Sequence, residues 1–95
     1  MHDYELTVIV SPQVTDDDLP GVVDKVSKLI TDKGGEITEV NKWGRRKLAY
    51  PINRFEEGNY FLARFKLGAD KIADMERSLL ISEELLRHLV IKVGE

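Results

Sequence analysis

A chain of 95 residues has room for one domain around a single modest core, so we expect one domain spanning residues 1–95. Its 42% hydrophobic and 33% charged residues match neither a disordered nor a collagen-like chain. The absence of cysteine excludes disulfides, thiolate catalysis and zinc sites built on cysteine pairs.

The sequence shows no sign of a membrane segment or of a secretion signal. Its longest apolar runs, at 60–63 and 89–91, are far shorter than the ~20 residues that cross a bilayer. The first five residues, Met-His-Asp-Tyr-Glu, lack the basic start and the apolar stretch of a signal peptide. We therefore expect a cytoplasmic protein with no membrane partner.

Charge is distributed unevenly along the chain. The formal net charge of −3, taken alone, argues against a protein that neutralises phosphates. Residues 40–66, however, carry seven basic and two acidic side chains, a net charge of +5, whereas the remainder of the chain carries −8. The middle third is therefore the candidate region for contact with an anionic partner.

The first strand and the first helix follow from alternation and spacing. Residues 4–10 place apolar side chains at every second position from Leu6, which predicts a strand with one face in a core. Thr15 and the three aspartates after it predict the capped start of an amphipathic helix that ends at Gly34-Gly35. Alternatively, the helix begins at Asp18, which would place Pro20 in the first turn, where proline is tolerated.

Residues 36–52 return to β character. Trp43-Gly44 predicts a bulge or kink, and Pro51, which has no backbone donor, predicts an edge strand. We expect a polar turn over 53–58 and then a third strand over 60–67 that turns Phe61 inward.

The end of the chain predicts a second helix and a last strand. Asp70 is a candidate cap for a helix that contains Ile72, Met75 and Leu79 at helical spacing, and a strand follows near 87–93. The resulting order, β-α-β-β-α-β, favours an α+β ferredoxin-like fold with four antiparallel strands and two helices on one face.

One face of such a sheet carries no helices, and its expected side chains are unusually apolar. The third strand would contribute Tyr60, Leu62, Arg64 and Lys66, and the first strand Thr7 and Ile9. The last strand would contribute either Leu89 and Ile91 or Val90 and Lys92. This face predicts a docked partner, although ordinary β propensity also places scattered apolar residues on a surface.

No group of residues has the pattern of an active site. Asp16-Asp17-Asp18 at a helix start is typical of helix-dipole stabilisation, and Gly34-Gly35 lacks the spacing of a phosphate-binding loop. His88 stands alone, which favours a packed side chain over a metal ligand and leaves an RNA contact open. We therefore expect no enzymatic activity, cofactor, metal site or small-molecule substrate.

Residues 42–51 interleave basic and aromatic side chains in the run Lys-Trp-Gly-Arg-Arg-Lys-Leu-Ala-Tyr-Pro. Such a run suits phosphate contact together with base stacking or cation–π contact. It equally suits an edge strand that its charges protect from pairing with other molecules. Composition alone leaves both interpretations open.

The sequence also resembles a known family over almost its whole length. The residues that carry the resemblance are Tyr4-Glu5, Gly34, the run from Trp43 to Ile52, Gly58 with Tyr60, and Leu85, Arg87, His88 and Lys92. This pattern is similar to that of bacterial small-subunit ribosomal protein six.

The resemblance implies a ferredoxin-like structural protein of the small ribosomal subunit. It implies binding to the central domain of 16S ribosomal RNA together with small-subunit protein eighteen, which would cover part of the open sheet face. The implied RNA-contacting residues are Arg46, Arg87 and Lys92, with His2, Tyr4 and Arg54 as further candidates. The implied partner-facing residues are Ile9, Tyr60, Leu62, Leu89 and Ile91. Because the sequence ends at Glu95, without the tail that many relatives carry, we expect no contact of the kind such a tail makes.

Two other functions share this fold. An RNA-recognition-motif domain has the same element order and stacks single-stranded bases on exposed aromatic residues, but here Tyr60 is the one clear platform aromatic of the third strand. A ferredoxin-like regulatory module or small hydrolase is a third interpretation. The lack of an anion-binding loop with a paired catalytic side chain disfavours it.

Overall fold

The computed structural model describes residues 1–52 and 54–93. In chain order the elements are β1 (His2–Val10), α1 (Leu19–Thr31), β2 (Glu36–Ile52), β3 (Phe55–Leu67), a 3₁₀ turn (Ala69–Lys71), α2 (Ile72–Leu80) and β4 (Leu85–Lys92). The strands form one antiparallel sheet in the order β2-β3-β1-β4. The predicted ferredoxin-like fold is confirmed, and so is the edge position of β2.

The core lies between the sheet and the two helices. β1 and β3 turn every second side chain toward the helices, because successive side chains of a strand point to opposite faces. Each helix adds residues at helical spacing, which lie on one of its faces. The buried set is Tyr4, Leu6, Val8, Val10, Val22, Val23, Val26, Ile30, Phe61, Phe65, Leu67, Met75 and Leu79. Both helices therefore cover the same side of the sheet.

Within the described ranges, neither helix combines the length and apolarity that a membrane crossing requires.

The first helix begins at Leu19, directly after Asp18. This confirms the alternative start and places Pro20 in the first turn, where the missing N–H of proline has no intrahelical partner to lose. The predicted cap at Thr15 is wrong. The Thr15 carbonyl accepts hydrogen bonds from the N–H groups of Asp18 and Leu19, and its hydroxyl donates to the Asp18 carboxylate at 3.2 Å. Thr15 thus closes a turn that precedes the helix.

The first helix ends at Thr31, and Gly34 and Gly35, which were predicted to close it, end the turn that follows. Gly34 has a φ of +85°, and the Gly35 N–H donates to the Ile30 carbonyl at 3.0 Å. A Cβ at position 35 would lie 2.7 Å from Ile30 Cγ2 and 2.8 Å from the Lys66 carbonyl oxygen. The close approach of helix and sheet here therefore requires glycine.

The predicted bulge of β2 is confirmed. The register with β3 shifts between Lys42 and Gly44, so Trp43 is the extra residue, and Gly44 has a φ of +83°. The last of the three register shifts lies between Lys47, which pairs with Glu57, and Ile52, which pairs with Phe55. Between these two pairs β2 contains residues 48–51, whereas β3 contains only Glu56. We call residues 48–51 the β2 arch.

Some predicted boundaries and a second predicted cap are wrong. β3 begins at Phe55, so residues 55–58 of the turn expected over 53–58 belong to a strand, and Arg54 directly before it has a φ of +70°. β4 begins at Leu85, earlier than expected. Asp70 caps no helix, because a 3₁₀ turn closed by the Lys71 N–H and the Gly68 carbonyl at 2.9 Å precedes α2. Asn53, within the expected turn, and Glu95, at the expected end, lie outside the described residues.

Candidate nucleic-acid and partner interface

The sheet face opposite the helices is open, and the strand register assigns its side chains. Three rows cross from β3 through β1 to β4: Tyr60, Ile9 and Arg87; Leu62, Thr7 and Leu89; and Arg64, Glu5 and Ile91. Val90, between the two exposed positions of β4, packs against the core. The last strand therefore presents Leu89 and Ile91 on the open face, which decides between the two registers left open above.

The β2 arch folds across this open face. Tyr50 of the arch accepts a hydrogen bond from Arg87 Nη1, and the Arg87 guanidinium lies 5.9 Å from the Tyr50 ring centroid. These residues belong to the two opposite edge strands, whose axes are about 14 Å apart at normal strand spacing. The arch must therefore reach over the two central strands to make this contact.

A cleft of about 250 Å³ lies between the arch and the sheet. Its lining residues come from all four strands: Thr7, Ile9, Leu48, Ala49, Tyr50, Ile52, Tyr60, Arg87, His88 and Leu89. Within the arch, Leu48 is buried, whereas Tyr50 is exposed. Both side chains line the cleft, and part of Tyr50 stays accessible from outside.

A second aromatic–arginine contact lies at the β2 bulge. Trp43 stacks on Tyr60 with 6.2 Å between ring centroids and 11° between ring planes. The Arg46 guanidinium lies over Trp43, 5.7 Å from its ring centroid. Arg46 and Arg87, which the resemblance implies for RNA contact, are therefore both held against aromatic rings of β2.

The predicted partner-facing residues differ in how accessible they are. Leu89 and Ile91 are 56% and 47% exposed. Ile9 and Tyr60 are half-buried at the floor of the cleft, and Leu62 is only 9% exposed. Sequence reasoning missed the exposed Tyr50 and Val93, although Val93 continues the alternation of the last strand and could have been found from it.

The predicted RNA-contacting residues fall into two groups. Arg46, Arg54 and Arg87 lie toward the end of the sheet where β2 folds over, since Arg46 is opposite Gly58 and Arg87 is opposite Ile9. His2, Tyr4 and Lys92 lie at the other end and have the strand parity of the helix-covered face, since Lys92 is opposite the core residue Tyr4. Along β1 the two groups are separated by about 17 Å.

Tyr4 belongs to the core. It is 7% exposed, and its ring stacks on Phe65 with centroids 5.6 Å apart. This burial leaves its side chain little surface for the predicted RNA contact. The signal was present in the sequence, because Tyr4 has the same strand parity as the buried Leu6 and Val8.

Two arginines of the positively charged middle third are paired within the chain. Arg64 lies 3.3 Å from the Glu5 carboxylate and 3.9 Å from that of Glu39. Arg45 lies 3.3 Å from the Glu57 carboxylate. Across residues 1–52 and 54–93, no carboxylate lies within 4.0 Å of the guanidinium of Arg46 or Arg87. Their charges are therefore available to an external anion.

The geometry argues against the two other functions that share the fold. A base-stacking platform needs an exposed aromatic on a central strand, but Tyr60 lies under Trp43 and Phe61 is in the core. A metal-dependent hydrolase needs a cluster of ligands, and the part of the chain that the structure describes has no group of three histidines or carboxylates placed to hold a metal. Within residues 1–52 and 54–93, the structure therefore shows neither a base-stacking platform on a central strand nor a metal-binding cluster.

Comparison with known proteins identifies the family of the chain. The family model described as Ribosomal protein S6 matches residues 3–92. The small ribosomal subunit protein bS6 of Desulforamulus reducens is 36% identical over 95 residues, which cover 100% of both chains. That of Heliobacterium modesticaldum is 39% identical over 95 residues, or 100% of this chain and 99% of its own.

A solved structure shows the same backbone arrangement. The crystal structure of 30S ribosomal protein S6 from Thermotoga maritima matches with a TM-score of 0.91 at 28% identity. The match covers 96% of this chain and 86% of that one. Family, relatives and structure thus agree over nearly the whole described domain. The chain therefore belongs to the ribosomal protein S6 family, as an RNA-binding structural component of the small ribosomal subunit and not an enzyme.

Proposed function

We propose that this chain binds the central domain of 16S ribosomal RNA jointly with small-subunit protein eighteen. One observation supports this above the others: the open face combines two arginines held by aromatic rings with an exposed apolar pair on β4. Guanidinium groups suit phosphates, and exposed apolar side chains suit a protein surface. A single face is thus equipped for two different partners.

The RNA partner is folded and is recognised by shape. The candidate contacts form two groups about 17 Å apart along β1, which a folded RNA can touch at two points of its backbone. Arg46, Arg54 and Arg87 form one group, and His2 and Lys92 form the other. Contacts of this kind position a protein on phosphates and read little sequence.

The protein partner covers the apolar part of the open face. Leu89 and Ile91 are its principal contacts, and Ile9, Tyr60 and Leu62 lie on the same face in the neighbouring strands, with Ile9 and Tyr60 lining the cleft. The net charge of −3 fits joint binding, because the partner supplies part of the charge that neutralises the RNA. Residues 1–95 act as one domain of the ribosome in the cytoplasm.

The test is a gel-shift titration of a central-domain fragment of 16S ribosomal RNA at two salt concentrations, with and without protein eighteen. We expect weak binding alone and tight, salt-sensitive binding with the partner. Arg87→Ala should weaken the tight complex. The matched control is Arg77→Ala, since Arg77 is an exposed arginine of α2, on the helix-covered side, beside Asp74 at 3.8 Å.

Two results would contradict the proposal. Failure of the chain to bind the fragment in either condition would remove the RNA partner. An equal loss from Arg77→Ala and Arg87→Ala would show that total charge, and not the open face, determines binding.

A further inference from the structure

In the protein without RNA, Trp43 already contacts a basic side chain. Its ring stacks on Tyr60, the Arg46 guanidinium lies 5.7 Å from its centroid, and 42% of the residue stays exposed. The sequence left two uses open for this tryptophan: stacking on a base, or contact with a cation. The second is already formed without any RNA.

We propose that Trp43 is a positioning residue for RNA binding, which fixes the Arg46 guanidinium over its ring so that the N–H groups of Arg46 are available to a phosphate. The inference rests on the proposed function, because it assigns an internal support to one of the RNA-contacting residues. It also assigns the group that Arg46 binds, which is a phosphate and not a base.

The local backbone explains how the tryptophan reaches this place. Trp43 is the extra residue of the β2 bulge, and Gly44 is the residue directly opposite Tyr60. Because Gly44 has no side chain, nothing from the paired position covers the Tyr60 ring, and Trp43 takes that position. The bulge, the glycine and the two aromatic rings thus act together.

The state of Arg46 differs from that of its neighbours. Arg45 and Arg64 are each held by a carboxylate at 3.3 Å, which occupies part of their N–H donors. Contact with the face of a ring leaves the in-plane N–H donors of a guanidinium unoccupied, and these donors match two phosphate oxygens. Holding a long side chain in place before binding also reduces the conformational freedom lost on binding.

The experiment compares RNA affinity among variants of the full chain, using the same 16S fragment and protein eighteen. Trp43→Leu should weaken binding about three- to tenfold, as loss of one cation–π support implies, while Trp43→Phe should restore most of it. Arg46→Lys should be nearly as weak as Arg46→Ala, because lysine lacks the planar fork. Lys42→Ala is the matched control, since it removes a charge from β2 opposite the inward-facing Phe61.

The double variant decides how Trp43 acts. If Trp43 works through Arg46, then Trp43→Leu added to Arg46→Ala should cause no further loss. Losses that multiply would show that Trp43 touches the RNA itself, and wild-type affinity in Trp43→Leu would show that it supports nothing; either result overturns the inference while the proposed function stands. Absence of wild-type binding would overturn both.

A second readout needs no RNA. Trp43 is the one tryptophan of the chain, so its fluorescence reports directly on its surroundings. Arg46→Ala should change the Trp43 emission of the free protein, whereas Lys42→Ala should leave it unchanged. Identical emission in wild type and Arg46→Ala would overturn the inference, even if Arg46→Ala or Trp43→Leu weakened RNA binding.

Discussion

Gly58 lies where three strands approach one another on the open face. A Cβ at this position would lie 2.6 Å from Ile9 Cγ2, 3.1 Å from the Val10 carbonyl oxygen and 3.7 Å from Leu86 Cδ1. The Gly58→Ala variant must therefore displace the β1 backbone or the Ile9 side chain. We expect the free energy of unfolding, measured by urea denaturation, to fall by about 1–3 kcal/mol.

A glycine in open surroundings should respond in the opposite direction. Gly21 lies in α1, and a Cβ there would meet no atom within 4 Å. Gly21→Ala should raise the free energy of unfolding by about 0.5–1 kcal/mol, because alanine favours the helix and restricts the unfolded chain. If Gly21→Ala also lowered the free energy of unfolding, the loss in Gly58→Ala would not be explained by the atoms packed around Gly58.

Tyr4 tests the distinction between a core residue and an RNA contact. Its ring is buried against Phe65, so Tyr4→Leu should lower the free energy of unfolding by about 1–3 kcal/mol. Tyr4→Phe keeps the ring and should leave the affinity for the RNA fragment unchanged. A selective loss of RNA affinity in Tyr4→Phe, without a loss of stability, would return Tyr4 to the RNA-contacting set.

At the level of single residues, alternation was the most reliable guide. It places Phe61 and Phe65 in the core and, applied to Tyr4, would have placed that residue there too. Accessibility was harder to predict, because it depends on neighbours from other strands. Leu62 has the parity of the open face, yet 9% exposure leaves it little contact surface.

Among the elements, β2 has features that the sequence predicts and one that it does not. Its bounds, its edge position and its bulge follow from β propensity, Pro51 and the Trp43-Gly44 pair. The arch does not follow, because it depends on a contact between Tyr50 and Arg87, which are 37 residues apart. Local propensity carries no information on such a pairing.

The exposed face of β4 makes a prediction about partner binding. Leu89 and Ile91 are exposed and contribute little to the core, so the Leu89→Ser, Ile91→Ser double variant should fold with near wild-type stability. Its affinity for protein eighteen should fall at least about tenfold, since two apolar side chains leave the proposed contact. Isothermal titration calorimetry would measure both the affinity and the heat of binding.

An exposed leucine elsewhere provides the control for this double variant. Leu80, at the end of α2, is 73% exposed and lies on the helix-covered side. Leu80→Ser should leave the affinity for protein eighteen unchanged. Equal losses from the β4 double variant and from Leu80→Ser would place the partner elsewhere than on the open face.

For the whole molecule, the topology was predictable and the electrostatics were only partly so. The order of elements and the burial of one sheet face follow from periodicity along the chain. The excess of positive charge in residues 40–66 is also visible in the sequence. Which of those charges the fold neutralises was not visible, because Arg64 meets Glu5 only through the pairing of β1 with β3.

This division of charges leads to a prediction about salt dependence. The affinity for RNA falls with salt by about 0.7–0.9 logarithmic units per tenfold salt increase for each phosphate neutralised. Arg87→Gln should therefore reduce the slope for the RNA fragment, measured with protein eighteen present, by about one unit. The neutral exchange Glu5→Gln, Arg64→Gln removes both ends of an internal ion pair and preserves net charge, so it should leave the slope unchanged.

Filter binding at four or more salt concentrations would measure both slopes under the same conditions. If the paired exchange reduced the slope as much as Arg87→Gln, Arg64 would have to leave its carboxylates and neutralise a phosphate in the complex. If neither variant changed it, the phosphate contacts would belong to the protein partner. The expected difference between the two variants requires that the ion pair between Glu5 and Arg64 persists in the complex with the RNA fragment.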